Sequence, residues 1–569
     1  MLFMKQKRKF SAREADAILR TKKLLFAMWD SENVKAGPFH SCYLAIKDFF
    51  KESILFDPRK RRFEYGPEGM RERLFFLIGQ EKPDYLLCMV GSDELNIDTL
   101  QHINLISPGT KIIAHFGDDD IDFEIFSRYY SHFIDYGIVF QQPYLRRYRD
   151  EGLTNTFLVC GANTDVFKPL DVQKKYDVSF IGAPLPSRVA LVRFLRKNNV
   201  AIRIWGHGWN VYPDCADIYG GPVVEQEFVR IVNESKINLG FTRNKYNELH
   251  MKGRVFEVGA CKSFQLVDYY SAYTHFFKED SEIVMFKSER DLLRKILYYL
   301  AHEQEREKIA SRMYMKVLKN NNTKEEYRKL FHWTLKEKGS NRALPETAAK
   351  VGEISREDLF LDVRTLSDKV HDYDSVVFRE MRSIPYPLKN ALLSYSLHIT
   401  GKPISCCSYY LYTKSLGNYL SFRVYRAFKS IKKEEFNRFI ILSQLAVSRE
   451  FLLQHIETFR AIARGDVVDF IREENTAFVA IPLVQVHITN SMLADSIHLL
   501  DERAFEKAFQ LNFAVRILSL IARKHLLSDP YMYKLAGWSL ASGNTFLIRY
   551  LWRSLFNRDK RNRVHALHV

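Results

Sequence analysis

The amino-acid sequence predicts an α/β fold in which two Rossmann-like domains face a cleft and an all-α C-terminal domain follows. Short apolar runs rich in β-branched and aromatic residues alternate with helical periods over residues 22–338. This pattern is typical of parallel sheets covered by helices on both faces. A proline-containing connection at residues 166–169 divides the alternation into two series. The alternation ends at residues 339–353, which have linker composition.

Residues 22–170 are the predicted N-terminal Rossmann-like domain, and a basic extension, residues 1–21, precedes it. Residues 43–50 have helical spacing, and five apolar runs have the length and composition of buried strands. The predicted strands cover residues 23–28, 84–90, 111–116, 136–140 and 156–159.

Residues 171–338 are the predicted C-terminal Rossmann-like domain, with helical patterns over 289–319 and 323–338. Two such domains in succession form a cleft at the carboxyl ends of both sheets. This cleft suits a reaction that joins a nucleotide-bound donor to an acceptor. The predicted strands cover residues 177–181, 201–205, 237–241, 264–267 and 283–286.

Residues 354–569 are predicted to be almost wholly α-helical. Residues 529–555 resemble one helical hairpin of the tetratricopeptide type, with small residues where paired helices pack closely. A helical-repeat array and an irregular helical bundle both remain open. Either would offer a surface for recruiting an acceptor or for self-association, and the sequence does not decide the oligomeric state.

The composition favours a cytoplasmic protein with an anionic partner. The net charge of +17 comes from 85 Lys and Arg against 68 Asp and Glu, which suggests nucleotide phosphates, an acidic membrane surface or nucleic acid. Seven cysteines without a CxxC pair favour reduced thiols. The sequence lacks an apolar signal core and any apolar run of the about 18 residues that span a bilayer. We therefore expect a soluble protein with at most peripheral contact with anionic membranes.

The stretch from residue 176 to residue 270 has the features of a nucleotide site. An apolar β run ends in Gly182 and is followed by Arg188, and Arg254-Val-Phe-Glu257 later enters a helix of small residues. A strand ending in glycine, then a basic residue, then Arg-x-x-Glu is how a doubly wound domain binds a nucleotide diphosphate and its ribose. Arg254 lies one helical turn before Glu257, so both side chains can face one cleft.

Six motifs occur in order along residues 22–335: His115-Phe-Gly-Asp-Asp119, Tyr148 to Pro169, Asp177-Val-Ser-Phe-Ile-Gly182 with Arg188, Trp205-Gly-His-Gly-Trp209, Ser235-Lys-Ile-Asn-Leu239, and Arg254-Val-Phe-Glu257 with Ala260-Cys261 and Asp268. Together they resemble the CgeB or spore-maturation type of GT-B glycosyltransferase, a relative of the group-one transferases. The resemblance implies a nucleoside-diphosphate sugar as donor on the second domain, an acceptor on the first, and no tightly bound cofactor.

The resemblance also implies that Glu257 holds the ribose hydroxyls of the donor, since a carboxylate accepts two hydrogen bonds from a vicinal diol. The alternative is an acid that stabilises a helix N-terminus. Arg254 is expected to neutralise the diphosphate as it leaves, with a plain surface arginine as the alternative.

Further donor contacts are predicted at strand ends of the second domain. Two arginines that follow strands are diphosphate candidates, and a histidine between two glycines is a further hydrogen-bond donor to phosphate. Two glycines that end strands let the backbone approach a ligand, unless they serve only turn geometry. A valine closes a Gly-Gly-Pro-Val loop that is expected to lie beside the base. The two arginines are Arg188 and Arg243, and the histidine is His207. The two glycines are Gly182 and Gly206, and the valine is Val223.

Asp118 and Asp119 are the predicted catalytic residues, because they follow a buried strand at the N-terminal wall of the cleft and can orient or deprotonate an acceptor hydroxyl. His115 is a weaker candidate. The alternative role of these aspartates is to cap a helix. The order of two sheets disfavours the metal-binding acid motif of GT-A transferases, so no metal site is predicted. Leu249 stands where the larger group-one enzymes carry an acid, which leaves sugar contacts and stereochemical outcome open.

The sequence thus predicts transfer of a hexosyl group from a nucleoside-diphosphate sugar to a hydroxyl of a protein or cell-surface glycan. One alternative is a non-catalytic scaffold built on a nucleotide-sugar fold. Another is transfer to modified DNA bases, which the basic charge suggests and which requires salt-sensitive duplex binding. Nucleic acid is the less favoured partner.

Overall fold

A computed structural model describes residues 10–29, 42–89, 95–223, 225–244, 246–340, 342–345, 347–380, 383–386, 388–413, 417–422, 442–464, 470–472 and 474–487. These residues divide into two compact units. The first comprises the described parts of Met1–Lys60, Leu74–Val90 and Leu100–Ala343, and the second those of Arg61–Arg73, Gly91–Thr99 and Leu344–Val569.

The first sheet of unit one is parallel throughout and has the strand order β2-β1-β3-β4-β5-β6 within the described residues. Five of its strands fall where apolar runs predicted them. The strand that was not predicted, β2, lies at the sheet edge and is only partly buried. The strands are β1 (Lys23–Met28), β2 (Glu52–Phe56), β3 (Tyr85–Met89), β4 (Lys111–Phe116), β5 (Tyr136–Val139) and β6 (Thr156–Leu158).

The second sheet of unit one is also parallel, with the described order β11-β10-β9-β7-β8. The prediction of two Rossmann-like domains is confirmed. The chain leaves β7 for β8 on one side and returns to β9 on the other, so a crevice opens at the carboxyl ends of β7 and β9. The strands are β7 (Tyr176–Ile181), β8 (Ile202–Trp205), β9 (Ser235–Gly240), β10 (Gln265–Asp268) and β11 (Val284–Phe286).

Helices cover the faces of both sheets, and the predicted helix over 289–319 is broken at His302 into two. None of the described helices has the length and apolar character needed to cross a membrane. The helices of unit one, of which α3 and α4 also include residues of unit two, are α1 (Ala12–Leu19), α2 (Leu44–Ile46), α3 (Pro58–Glu81), α4 (Ile97–Ile106), α5 (Asp119–Asp122), α6 (Arg128–Tyr130), α7 (Tyr144–Asp150), α8 (Pro186–Lys197), α9 (Glu225–Glu234), α10 (Arg254–Ala260), α11 (Glu289–Ala301), α12 (Glu303–Asn320) and α13 (Thr323–Lys336).

The chain crosses between the two lobes of unit one twice, and the crossings lie side by side. Ala162 on the outward crossing pairs with Asn322 on the return. After the return, α13 packs in the core of the first sheet, although its sequence lies in the range predicted for the second domain. The Tyr85 and Thr334 hydroxyl oxygens are 3.1 Å apart, and Lys111 Nζ donates to the Thr334 carbonyl at 2.8 Å. Helix α13 therefore ties the second lobe to the first.

The all-α prediction for residues 354–569 is wrong over the part of that range that the structure describes. A mixed sheet forms there, with β12-β13-β17-β15-β18-β14 in order and β16 paired to β15. Runs such as Ser-Val-Val-Phe-Arg in β13 are short and β-branched, and tertiary pairing decided their structure over any helical spacing. The predicted hairpin at 529–555 lies outside the described residues.

The strands of this sheet include β15, which carries the buried thiols Cys406 and Cys407, predicted as core within a helix. All seven cysteines of the chain are buried. The elements are β12 (Val351–Ser355), α14 (Val363–Val370), β13 (Ser375–Arg379), β14 (Ser383–Pro385), α15 (Lys389–Thr400), β15 (Ile404–Thr413), β16 (Gly417–Phe422), β17 (Leu445–Ser448), α16 (Arg449–Gln454), α17 (Ile456–Arg464) and β18 (Thr476–His487).

Candidate functional site

Arg188 spans the crevice between β7 and β9. It lies in the first turn of α8, after the β7 loop, and its guanidinium donates to the carbonyls of Ala183 at 3.1 Å and Arg243 at 3.0 Å. These acceptors are neutral, so they do not compensate its charge. Burial and the nearby Arg254 lower the pKa of Arg188 to about 10. The crevice therefore holds a cation in an unfavourable electrostatic position.

Arg254 and Glu257 meet at the start of α10, as their spacing predicted. Arg254 donates to the Ile181 carbonyl at the end of β7 at 2.5 Å, and its guanidinium carbon lies 4.6 Å from the centre of the Phe228 ring. The Glu257 carboxylate lies 3.8 Å from Arg254 Nε, and its side chain is 21% exposed. Burial raises the pKa of Glu257 and Arg254 opposes this rise. An acid and a base thus face the end of β7 together.

Lys252 belongs to the same candidate cluster and was not predicted from the sequence. Its backbone N–H donates to Tyr273 Oη at 2.8 Å, and its side chain is half-buried. Burial and the charges of Arg188 and Arg254 lower its pKa, Asp118 and Asp120 raise it, and the net result is a pKa of about 8. Lys252 is thus under the electrostatic influence of cations of the second lobe and of acids of the first. Its position two residues before the Arg-x-x-Glu motif was the available sequence signal.

A polar network joins the two lobes beside this cation cluster. Asp120 accepts a hydrogen bond from Asn244 Nδ2 at 2.6 Å and contacts His250 Nδ1 at 2.7 Å. Gln141 bridges the lobes as well, since its Nε2 donates to Gly117 O at 3.0 Å and its Oε1 accepts from Met251 N at 2.9 Å. Asp120 and His250 were not predicted as functional residues from the sequence, because their contact joins positions 130 residues apart.

The two predicted catalytic aspartates lie in different environments. Asp118 is 62% exposed, and its Oδ1 is 3.8 Å from His250 Nε2. Asp119 is 1% exposed and accepts a hydrogen bond from Tyr148 Oη at 3.0 Å. Burial raises the pKa of Asp119 to about 7. Burial also lowers the pKa of His115 to about 4. Asp118 is therefore the most exposed of the three, His115 is partly buried and Asp119 is buried.

The predicted glycines are close to one another for a packing reason. Gly206 has φ +124°, and a Cβ there would come within 2.6 Å of the Gly182 carbonyl oxygen. The indole N–H of Trp209 donates to that same oxygen at 2.7 Å. This close approach accounts for Gly206 without a ligand, and at Gly182 a Cβ would come within 2.7 Å of the Phe180 ring.

The three remaining candidates lie around the crevice rather than in the cation cluster. His207 is exposed, and Val223 packs partly buried against the apolar core below β8. The Arg243 side chain donates to the Asn247 carbonyl at 2.6 Å, while its own carbonyl holds Arg188. The structure thus brings together Arg188, Lys252, Arg254 and Glu257. Within the described residues, no group of three or more His, Cys, Asp or Glu side chains is arranged to hold a metal ion.

Two parallel doubly wound sheets, joined by adjacent chain crossings and with a basic crevice on the second, have the arrangement of a GT-B glycosyltransferase. Residues 188–332 match the family model described as "Glycosyl transferase-like". The chain is 24% identical to the spore protein CgeB of Bacillus subtilis (strain 168) over 253 residues, which cover 41% of this chain and 77% of that protein. The resemblance to CgeB that the motifs predicted is therefore confirmed, and residues 188–332 form a glycosyltransferase-like domain.

Solved structures with a similar fold include glycosyltransferases of low sequence identity. Anabaena HepE, solved in complex with UDP and glucose, is 10% identical with a TM-score of 0.41, and the match covers 54% of this chain and 98% of that one. A glycosyltransferase from Rickettsia africae ESF-5 is 11% identical with a TM-score of 0.41, covering 56% and 99%.

Proposed function

We propose that the protein transfers a hexosyl group from a nucleoside-diphosphate sugar to a hydroxyl of a protein or cell-surface glycan. The observation that carries this proposal is the convergence of Arg188, Lys252, Arg254 and Glu257 at the switch point of the second sheet. Open α/β sheets bind their ligands in this crevice.

The charges of the cluster match a diphosphate better than a neutral ligand. Arg188 and Lys252 both have lowered pKa values, and in each case another cation of the cluster is one of the causes. A ligand with two phosphate groups relieves this repulsion and gains charge-assisted hydrogen bonds. The same cations stabilise the negative charge that builds up on the diphosphate as the bond to the sugar breaks.

Glu257 supplies the part of the site that a diphosphate alone does not use. It lies one turn beyond Arg254 on α10 and is partly open to the crevice. In this proposal its two oxygens accept hydrogen bonds from the vicinal hydroxyls of the ribose. Asp118, on the first lobe, faces the same region and orients the acceptor.

A thermal-shift panel tests donor binding with the full chain. UDP-glucose, GDP-mannose, ADP-glucose and dTDP-glucose are compared with the corresponding nucleoside diphosphates and with the free sugars. A cognate donor at a hundred times its Kd is expected to stabilise the folded protein by about 2.7 kcal/mol. Free sugars, which lack the phosphates that the cations hold, should give no shift. The proposal would be contradicted if none of the activated sugars or nucleoside diphosphates changed the melting temperature.

Donor binding is expected to weaken as the pH rises through about 8, because Lys252 has a pKa of about 8. Below that pH the ammonium is charged and attracts the diphosphate. A bound diphosphate raises this pKa, so binding near pH 8 to 9 takes up protons. Calorimetry in buffers of different ionisation enthalpy measures the uptake. Lys252→Arg keeps its positive charge at these pH values. The variant should therefore still bind the donor, but with little proton uptake. Equal uptake by both proteins would rule out Lys252 as the titrating contact.

A further inference from the structure

We propose that the second lobe of unit one binds an anionic membrane surface through the outer face of helix α12. This face forms one wall of an open groove of about 620 Å³, which we call the α12 groove. None of its lining residues belongs to the cation cluster at the switch point of the second sheet. The lining residues include Glu282, Lys308, Arg312, Met315, Lys316 and Lys319.

Packing against helix α10 fixes which face of α12 meets the solvent. Ile309, Met313 and Val317 are buried and recur every four residues, so they share the inner face of the helix. A Cβ on Gly259 of α10 would come within 3.1 Å of the side chains of Met313 and Val317. Helix α12 therefore cannot turn about its axis without overlap, and the groove residues stay on its outer face.

Four cations of the α12 groove have no counter-ion among the described residues. No carboxylate oxygen of that part of the chain lies within 4.0 Å of their nitrogens, whereas Arg306 on the same helix pairs with Glu303 at 3.0 Å. Like charges four residues apart face each other and destabilise a helix, and an anionic surface offsets this repulsion. The four cations are Lys308, Arg312, Lys316 and Lys319.

The acid that lines the α12 groove does not neutralise these cations. Glu282 Oε2 accepts a hydrogen bond from the backbone N–H of Lys278 at 2.9 Å, which closes its own loop. The neighbouring Ser281 is a neutral partner, because its Oγ accepts from Arg312 Nη1 at 3.2 Å. The guanidinium is thus positioned by a hydroxyl and keeps its charge for an external anion.

The helix dipole does not account for the position of the four cations. Basic residues stabilise a helix C-terminus, but the effect falls off within the last turn. Lys319 lies in the last turn of α12, while Lys308 and Arg312 lie near its middle. From residue 308 to residue 319 the cations extend over about 16 Å of helix. A row of this length fits an extended anionic surface better than a single small anion.

Met315 provides an apolar contact within the row of cations. Its side chain is 62% exposed, and it lies three residues after Arg312 and four before Lys319, so the three share one face. A membrane surface offers hydrocarbon directly beneath its charged headgroups, and cationic helix faces with apolar residues bind at that boundary. Lysine stems can reach the apolar layer while their charges stay at the headgroups. The α12 groove therefore fits anionic lipids better than a soluble polyanion.

The charge test measures flotation of the full-length protein with vesicles of phosphatidylcholine alone or mixed with an equal amount of phosphatidylglycerol. We expect binding to the anionic vesicles only, and weaker binding as salt is added. The triple change Lys308→Gln, Arg312→Gln and Lys316→Gln should lower partition on the order of 100-fold, since each cation near an anionic surface contributes about fivefold.

The matched control removes three exposed bases from other elements, with the changes Arg13→Gln, Lys51→Gln and Lys197→Gln. It loses the same charge and should keep most of the wild-type binding. Neither triple variant should change the melting temperature much or the shift that a donor produces. Equal binding by the two triple variants, or no binding by the wild type, would overturn the proposal and leave the proposed function intact.

A second variant distinguishes lipid from a soluble polyanion. Met315→Gln should weaken binding to the anionic vesicles severalfold and leave binding of labelled duplex DNA unchanged. Leu105→Gln, which replaces an apolar side chain of the first lobe that is 78% exposed, is the control. An equal effect of the two changes on vesicle binding would overturn the assignment to lipid. Binding of duplex DNA that depends on the three α12 cations, with no binding to vesicles, would assign the groove to nucleic acid instead.

Discussion

Replacing Glu257 with alanine is expected to weaken the binding of the nucleoside-diphosphate sugar by roughly 150-fold, which corresponds to about 3 kcal/mol. The loss follows from the two hydrogen bonds that its carboxylate accepts from the ribose, since hydrogen bonds to a charged group are the stronger kind. Binding of a free sugar phosphate, which has no ribose, should change little. Isothermal titration of wild type and variant with the cognate donor measures the difference.

Two variants separate ribose binding from a simple helix effect. Glu257→Gln keeps one acceptor oxygen and loses the charge, so its affinity should lie between those of wild type and Glu257→Ala. Glu289→Ala removes an exposed acid from the first turn of α11. It should cost about 0.5 kcal/mol of stability and leave donor affinity unchanged. Equal donor affinity in Glu257→Ala and wild type would remove Glu257 from the site.

The two parallel sheets were predictable because strands buried on both faces appear as continuous apolar runs. Leu24 to Met28 and Leu86 to Cys88 are fully or almost fully buried, and each was predicted as a strand. The edge strand β2 was missed, since only its Ile-Leu-Phe portion is apolar. In β15 the two cysteines and the serine beside them carry little periodic signal. Pairing to β17 and β18, far apart in sequence, decides that region.

The candidate site likewise contains residues that could be predicted from the sequence and residues that could not. Arg254 and Glu257 could be found because one helical turn separates them, so local geometry is enough. The Asp120–His250 contact was hidden, because it depends on how two lobes meet. Asp119 shows the opposite error: next to an exposed aspartate in sequence, it turns into the core and bonds to Tyr148. Sequence neighbours after a strand do not share one environment, since successive side chains there point in different directions.

Replacing Gly161 with alanine is expected to destabilise unit one by about 3 kcal/mol and to lower the apparent melting temperature by about 4–5 °C. Gly161 lies where the chain crosses between the lobes. A Cβ there would come within 2.2 Å of the Asn321 carbonyl oxygen and 2.8 Å of its carbon. Both are backbone atoms of the return crossing, so no side-chain rotation relieves the overlap.

The same change should also weaken donor binding, although Gly161 is remote from the cation cluster in sequence. The Asn321 carbonyl that is displaced accepts from Ala162 N at 3.0 Å, and Asn321 Nδ2 donates to Cys160 O at 3.0 Å. These bonds fix the angle at which the lobes meet, on which the contacts of Asp120 depend. The matched control is Gly79→Ala, a position inside α3 with open space around it. It should stabilise the protein by about 0.5–1 kcal/mol. A Gly161→Ala protein that melts at or above the temperature of Gly79→Ala would show that the crossings can separate freely.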